Sequence, residues 1–416
     1  ALAEVPVAQR VHLDDFQGWW KGANENIQSS KSGSHFGHYK AAAHDDSLSA
    51  LHVSKMNLAL RGGVPLDRWR NGLTCLLEKK FGSIYIDKLR AICLFEADFN
   101  WLCKLFIAKR MMGTAAAQNL IPLEIFSRPG HNPVEAPMAR ILSNDIHRTL
   151  HIPFVTIGAD LGNCFDACNH VSTSVALQAF RVPFNMIALM LLCLQTMNFW
   201  LRTAYGVALT PFGGVADDVC MGLGQGCGGA PTSFFATLVL MINCYKRQRY
   251  GVRFTSCWTG AVFILAALCY VDDTDLLLRI QHLEQSDAEF FAQIQRAVMT
   301  WGKIVQVTGG YLKQEKCYAS VNSFRFVNGR AVLKKKNQLP ETHILIPQPN
   351  GEPVPIMVID PTESRETLGV MTNTASTSSA HLQAVEKKGK AWGAKLRANK
   401  FIKPQIGWLS YQIQLK

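Results

Sequence analysis

The order of apolar and polar residues along the chain predicts alternating buried strands and helices. Two short apolar runs lead into acidic residues: His151–Ala159 precedes Asp160, and Ala261–Cys269 precedes Tyr270-Val271-Asp272-Asp273. Runs of this length predict buried strands, whereas longer apolar or periodic stretches predict helices. The helices are predicted at Pro183–Trp200, Ser233–Tyr245 and Glu284–Val307. The centre of the chain therefore combines both element types, with acids at the ends of two strands.

The flanking segments add further elements. Residues 1–65 have a helical bias, and two apolar runs between Leu73 and Leu94 flank charged residues, as in a β-hairpin with a basic tip. Further helices are predicted at Phe99–Met112, Val134–Thr149 and, with a strongly basic face, His381–Lys416. No internal repeat or low-complexity linker separates these segments.

Composition narrows the class of protein. The chain has 416 residues, of which 48% are hydrophobic, which suits two or three subdomains around sizeable cores. A formal charge of +12 favours a polyanionic partner such as nucleic acid, although charge alone also fits a basic protein without one. Twelve cysteines stand singly, without Cys-x-x-Cys pairs, which predicts reduced intracellular thiols and no zinc site.

Neither a membrane span nor a secretion signal is expected. No run of about 20 apolar residues occurs, and the start at Ala1 shows no signal-peptide pattern. The absence of a starting Met suggests a fragment of a longer chain. We therefore expect an intracellular protein.

The Asp272-Asp273 pair is the strongest candidate for chemistry. Adjacent carboxylates between two apolar runs would repel each other and be costly to desolvate, unless a divalent cation neutralises them. Oxygen ligands of this kind suit Mg²⁺. Asp160 also ends an apolar strand, so the two acid sites can meet at neighbouring strand ends and hold two metals about 4 Å apart. Asp166 has a simpler explanation as a helix cap.

A glycine-rich segment, Gly222–Pro231, lies between the acid sites. It lacks the Gly-Lys-Ser/Thr of a Walker loop, and its glycines would allow a backbone or a flat base to approach closely. A plain loop remains an alternative, and Pro231 is well suited to begin the following helix.

Taken in order, these segments resemble the reverse transcriptase family over roughly residues 70–416, and more closely its non-LTR retroelement members. Tyr270-Val271-Asp272-Asp273 has the family's Tyr-x-Asp-Asp form, and Asp160 with Phe165 and Asp166 is similar to its first catalytic motif. Gln225-Gly226 with Pro231 resembles the template-and-nucleotide motif, Lys316 the fourth motif, and Leu368-Gly369 the primer-grip hairpin. Lys80, Arg90 and the Ser127–Gly130 block resemble the fingers motifs.

The resemblance implies a set of roles. Asp160, Asp272 and Asp273 would be catalytic and, with the Leu161 backbone, would bind two Mg²⁺ ions, for which Mn²⁺ could substitute. Residues implied in dNTP binding are Lys80, Arg90, Phe165, Gln225, Gly226 and Lys316. Residues implied in nucleic-acid binding are Arg128, Gly224, Pro231, Tyr270, Leu368, Gly369, Lys387, Lys388 and Lys390. The implied partners are an RNA template, a DNA primer and dNTPs, and the implied location is nuclear.

The implied fold is α+β, a right-hand polymerase with fingers, a palm with an antiparallel sheet and a partial helical thumb. Residues 1–65 would be an N-terminal extension and 66–150 the fingers. Residues 151–372 would form the palm, with a fingers segment inserted at about 171–215, and 373–416 would begin a truncated thumb. Neither an RNase H nor an endonuclease domain is recognisable.

Two departures and three alternatives stay open. Ala91 stands where the family commonly has Pro, and Lys313-Gln314 where it has Asn-Pro. An RNA-dependent RNA polymerase shares the palm, but its third motif usually reads Gly-Asp-Asp. A group II intron-type maturase, or a truncated, non-catalytic nucleic-acid-binding protein of retroelement origin, is also compatible with these motifs.

Overall fold

A computed structural model describes residues 2–27, 30–79, 82, 85–86, 89–162, 164–214, 219–341 and 343–398. Within these ranges the chain is a mixed α and β protein, as expected. The helices are α1 (Leu13–Trp20), α2 (Phe36–Ala42), α3 (Asp46–Gly62), α4 (Ala97–Cys103), α5 (Met112–Ala117), α6 (Glu135–Thr149), α7 (Cys164–Ala167), α8 (His170–Ala179), α9 (Phe184–Gln195), α10 (Ala230–Arg247), α11 (Asp287–Val307) and α12 (Ser379–Ala398).

The strands are β1 (Asn71–Glu78), β2 (Leu89–Leu94), β3 (Phe154–Gly162), β4 (Asn198–Thr203), β5 (Gly206–Val207), β6 (Phe212–Gly213), β7 (Val252–Thr255), β8 (Val262–Leu265), β9 (Ala267–Tyr270), β10 (Asp273–Arg279), β11 (Tyr311–Leu312), β12 (Tyr318–Asn322), β13 (Phe324–Val327), β14 (Arg330–Leu333), β15 (Ile344–Ile346), β16 (Val354–Ile359), β17 (Arg365–Thr367) and β18 (Val370–Thr372). A π-helical stretch, Lys104–Met111, joins α4 to α5, and 3₁₀ turns span Asp67–Arg70 and Lys336–Gln338.

The central sheet has the strand order β15-β16-β12-β3-β10-β9, and the short β11 also pairs with β3. Strand β3 lies inside this sheet, which explains its nearly continuous apolar sequence: eight of its nine residues are buried. Helices α10 and α11 contribute large buried side chains such as Phe234, Phe290 and Trp301 to the same core. The strand predicted at His151–Ala159 is confirmed, although it starts at Phe154 and continues past Asp160 to Gly162.

A second sheet has the order β2-β1-β4-β5, with β6 also paired to β4. Strands β1 and β2 form the predicted antiparallel hairpin. Strand β4 pairs in parallel with β1, so a strand from the 171–215 segment joins the sheet of the 66–150 segment. The prediction of one helix over Pro183–Trp200 was wrong, because α9 ends at Gln195 and Asn198–Thr203 is drawn into this pairing.

The run Ala261–Cys269 was predicted as one strand but forms two strands in different sheets. Strand β8 pairs with β7, whereas β9 pairs with β10. Ala266 lies between them. Its carbonyl accepts from Leu277 N and so continues the pairing with β10, whereas its N–H donates to the carboxylate of the buried Glu124 at 3.4 Å. Because this N–H is satisfied by a side chain and not by a strand, the chain can pass from one sheet to the other at this residue.

A buried charge network holds the N-terminal segment against the second sheet. Glu96 and Asp98 have no solvent exposure and are both paired with Arg68, while Lys55 on α3 lies 3.5 Å from Asp98. Buried carboxylates are tolerated only when they are paired in this way, so these contacts connect α3 and the 67–70 turn to α4.

The remaining sequence predictions for helices are confirmed where the structure describes them. Helices α6, α10 and α11 occupy the predicted stretches, and α12 covers the described part of the basic tail. In the described part of the chain, all helices are too short or too polar to cross a membrane. None of the twelve cysteines, all of which lie among the described residues, forms a disulfide.

Candidate active site

Two of the sequence-predicted acids are direct neighbours in the central sheet. Strands β3 and β10 are antiparallel, and their register pairs Asp160 with Asp273. Opposed like charges on adjacent strands are destabilising unless a cation compensates them. The acid sites, 113 positions apart in sequence, therefore meet as the carboxylate pattern predicted.

The third acid lies in the turn that begins β10. Tyr270 pairs with Asp273, so Val271 and Asp272 form a two-residue hairpin turn. Val271 has φ +57°, a left-handed conformation that is unfavourable for a β-branched residue and typical of strained functional turns. Its N–H donates to Ser127 Oγ at 3.3 Å. The Ser127–Gly130 block thus supports the turn that carries Asp272.

Electrostatic crowding is visible at Asp273. Partial burial and the nearby charges of Asp272, Asp160 and Asp275 raise the pKa of Asp273 to about 6, although Lys316 acts in the opposite direction. Lys316 Nζ lies 3.0 Å from Asp160 Oδ2, and this hydrogen bond raises the pKa of Lys316. The ammonium group of Lys316 thus lies next to the acids, where it offsets part of their negative charge.

A cavity of about 120 Å³ borders this edge of the sheet. Five of the residues in its walls come from distant segments and were named as candidates from the sequence: Asp160, Tyr270, Asp273, Lys316 and Leu368. Leu368 and Gly369 form the turn of the β17–β18 hairpin, with φ values of +48° and +83°. The predicted hairpin is therefore confirmed, and it forms one wall of the cavity.

The donor set suits a hard divalent cation. The carboxylates of Asp160, Asp272 and Asp273 supply the oxygen ligands that Mg²⁺ prefers. Partial burial and the neighbouring negative charges raise the pKa of Asp273, and a divalent ion would neutralise those charges. Leu161, the implied backbone ligand, follows Asp160 on β3 and pairs with Leu312. Among the described residues, no three acidic, histidine or cysteine side chains already surround a single point as a formed metal site.

The glycine-rich loop packs against the helix that follows β3. Leu223 N donates to the Phe165 carbonyl at 2.7 Å, and Gln225 Nε2 donates to Asp166 Oδ2 at 3.1 Å. Partial burial raises the pKa of Asp166, and the bond from Gln225 opposes this. Asp166 lies in the first turn of α7, and its carboxylate also orients the Gln225 amide.

The same loop also contacts the hairpin of the second sheet. Cys93 N on β2 donates to the Gln225 carbonyl at 2.7 Å. Gly226 has φ +118°, and a Cβ at this position would collide with the Cys93 carbonyl, so only glycine fits. Arg90 is exposed three residues earlier on β2. The loop thus connects the Arg90 hairpin with the acid-bearing sheet.

The other predicted contacts are spread more widely. Gly224 lies in the glycine-rich loop against Phe95, Pro231 is in the first turn of α10, and Arg128 is half-buried beside the Val271 turn. Lys387, Lys388 and Lys390 are exposed on α12, where Lys390 pairs with Glu386 at 2.6 Å. Lys80 lies outside the described residues.

Sequence reasoning missed a buried polar cluster beside the cavity. Arg140 Nη1 on α6 donates to Asp275 Oδ2 at 3.0 Å, to Tyr318 Oη at 2.8 Å and to Thr367 Oγ1 at 2.8 Å. Burial raises the pKa of Tyr318 to about 12 and also raises that of Asp275. One sequence signal existed: Asp275 interrupts the apolar strand two residues after Asp273, and therefore on the same face.

Comparison with known proteins adds no relatives to this picture. No protein-family model matches the chain, and no curated protein matches it.

Proposed function

We propose that the chain is an RNA-directed DNA polymerase of retroelement type, which transfers nucleotides from dNTPs to a primer 3′-hydroxyl on an RNA template. The observation that carries this proposal is the cross-strand pairing of Asp160 with Asp273, next to the turn that bears Asp272. Carboxylates that face each other on neighbouring strands repel each other and cost stability, and such a cluster suits the chemistry of phosphoryl transfer.

The acids would hold two divalent ions, Mg²⁺ or Mn²⁺. Such ions, when bound, lower the pKa of the attacking hydroxyl and neutralise the charge of the triphosphate. The raised pKa of Asp273 fits this function, because the carboxylates repel each other until a cation binds to them. Lys316 partly reduces this repulsion through its contact with Asp160. Lys316 lies next to the acids. When substrate binds, its ammonium group would therefore contact the phosphates and donate a proton to the departing pyrophosphate.

The neighbouring loop and hairpin would bind the nucleotide. Asp166 holds the Gln225 amide in one orientation, which suits contact with an incoming nucleotide or template base. Phe165 is half-buried and packs edge-on against Phe234, with ring centroids 5.9 Å apart. A ring fixed in this way would exclude a ribose 2′-hydroxyl by steric clash. Arg90, and Lys80 outside the described residues, would bind the triphosphate.

Nucleic acid would lie along the basic surfaces. The net charge of +12 and the exposed lysines of α12 suit contacts with the phosphate backbone, which need no base recognition. The β17–β18 hairpin, at the wall of the cavity, would contact the primer terminus.

Primer extension tests this function directly. The wild-type chain, a labelled DNA primer annealed to RNA, dNTPs and Mg²⁺ should give extended products, and Asp272→Asn should reduce the rate by at least about a hundredfold. Asp14→Asn is a matched control, because Asp14 is an exposed member of another Asp-Asp pair.

The other outcomes are equally informative. Equal extension by Asp272→Asn would exclude the metal role of the acids. Primer–template binding without extension by the wild-type chain would favour a non-catalytic nucleic-acid-binding protein.

A further inference from the structure

We propose that Arg140 is a positioning residue, which fixes the β17–β18 hairpin against the catalytic strand and thereby places the primer terminus. This inference rests on the proposed polymerase function. The juxtaposition that carries it is one buried guanidinium shared between β10, β12 and the hairpin.

The location of Asp275 connects this cluster to the acids. Asp273 and Asp275 lie on the same face of β10, and their partners on β3 are Asp160 and Gly158. A Cβ at Gly158 would collide with the ring of Tyr318, so the glycine leaves room for that ring to lie over β3. The face that carries the catalytic pair therefore continues directly into the Arg140 cluster.

Besides Arg365, whose guanidinium on β17 lies 5.6 Å from the centroid of the Tyr318 ring, the cluster reaches the hairpin through Arg140. Its side chain is 1% exposed, and Thr367 Oγ1 accepts from it at 2.8 Å. Thr367 precedes the Leu368-Gly369 turn, and both Thr367 and Leu368 line the 120 Å³ cavity together with Asp160 and Asp273. This bond is therefore one of the contacts that set the position of the hairpin wall relative to the acids.

Joining three elements through a buried arginine also carries a desolvation cost. An apolar cluster of similar volume would often be as stable, whereas removal of one charged partner leaves the other buried and unpaired. Arg140 Nη1 lies within hydrogen-bond distance of acceptors on three elements, and the planar guanidinium supplies orientation that an apolar contact lacks. This cost is consistent with a requirement for accurate placement of the hairpin.

Thr367→Val isolates the hairpin bond, because it removes the hydroxyl and leaves the Arg140–Asp275 pair intact. We expect amide hydrogen exchange over residues 365–372 to become about tenfold faster without nucleic acid. In primer extension the KM for primer–template should rise about tenfold, while kcat stays within about twofold. Thr367→Ser keeps the hydroxyl and should restore both values.

Arg140→Lys is the second variant. It retains a positive charge near Asp275 but loses the planar fork, so it should raise the same KM if it folds. Unchanged exchange and unchanged KM in Thr367→Val, with an active wild-type chain, would overturn the positioning role and leave the polymerase function standing. Faster exchange in Thr367→Val with no extension by any variant would overturn the polymerase function, and with it the role in primer placement.

Discussion

Asp160 and Asp273 face each other across the β3–β10 ladder, and Lys316 contacts Asp160 from the neighbouring segment. The pair combines two features that rarely coexist in a purely structural sheet. Its carboxylates repel each other, and the adjacent turn holds Val271 in a left-handed conformation. Both features cost stability, so both are expected where a cation or a substrate compensates the cost.

The first prediction concerns stability as a function of pH. The pKa of Asp273 is raised in the folded chain to about 6, so the folded state holds this proton more tightly than the unfolded state. Its contribution is therefore fully present below about pH 4 and is lost as the pH rises through about 6. In EDTA, Asp273→Asn should be more stable than the wild-type chain at about pH 7.5, with no such gain at about pH 4.

The expected gain is about 1 kcal/mol, which includes a discount for solvent screening because solvent reaches this carboxylate. Urea unfolding at the two pH values measures it, with Asp14→Asn as the control. A gain of equal size at both pH values would mean that the carboxylate charge is not its cause.

The second prediction concerns divalent cations. Ions that bind the folded acids stabilise the chain by mass action, so Mg²⁺ or Mn²⁺ should raise the melting temperature of the wild-type chain. At an ion concentration about 100 times the Kd, the gain is about 2.7 kcal/mol. The Asp160→Asn/Asp273→Asn double variant should lack this gain in the same thermal scan. A similar shift in both proteins would place cation binding elsewhere.

The third prediction concerns sugar selection. Phe165→Ala should leave dNTP use largely intact and raise the efficiency of ribonucleotide insertion by about tenfold or more, because the steric barrier to the 2′-hydroxyl is removed. Single-nucleotide insertion with matched dNTP and rNTP pairs measures the ratio of kcat/KM values. Phe199→Ala is a suitable control, since Phe199 is also half-buried but stacks on Phe212 in the second sheet. Unchanged discrimination in Phe165→Ala would remove the proposed gate.

The fourth prediction concerns the basic helix α12. Each lysine that neutralises a phosphate contributes about 0.9 to the slope of log K against log salt concentration on a duplex. Lys387→Gln/Lys388→Gln should therefore lower the slope of primer–template binding by about two, with similar effects on unrelated sequences. Lys390 already pairs with Glu386, so its replacement should have a smaller effect.

Fluorescence anisotropy over a salt series measures this slope. Lys21→Gln/Lys303→Gln removes the same charge from exposed positions outside α12 and should change the slope less. Equal effects of the two double variants would show that general charge, and not α12, contacts the duplex.

Several parts of the site follow from local sequence. Apolar runs that end in Asp160 and in Tyr270-Val271-Asp272-Asp273 predict buried strands followed by acids. The structure confirms the strand that carries Asp160 and the hairpin turn that carries Asp272, whereas the second run is divided into two strands at Ala266. The Leu368-Gly369 turn is similarly local, because a glycine at a positive φ favours a tight hairpin. Such features depend on residues within a few positions of each other.

Other parts depend on partners that are distant in sequence. The opposition of Asp160 and Asp273 requires the register of β3 against β10, and the end of α9 at Gln195 reflects the pairing of β4 with β1. The division at Ala266 arises from Glu124 and Leu277. Local periodicity carries no information about these partners.

The amino-acid sequence by itself therefore determined the candidate acids and the strand and turn that hold them, because hydrophobic pattern and turn propensity act over short distances. Only the tertiary structure decided how those strands align, and it also revealed the Arg140 cluster beneath the acids. The physical reason is that register and buried polar contacts are properties of paired segments. Arg140, Asp275 and Thr367 span 227 positions of the chain and acquire a common role only when the sheet and the hairpin come together.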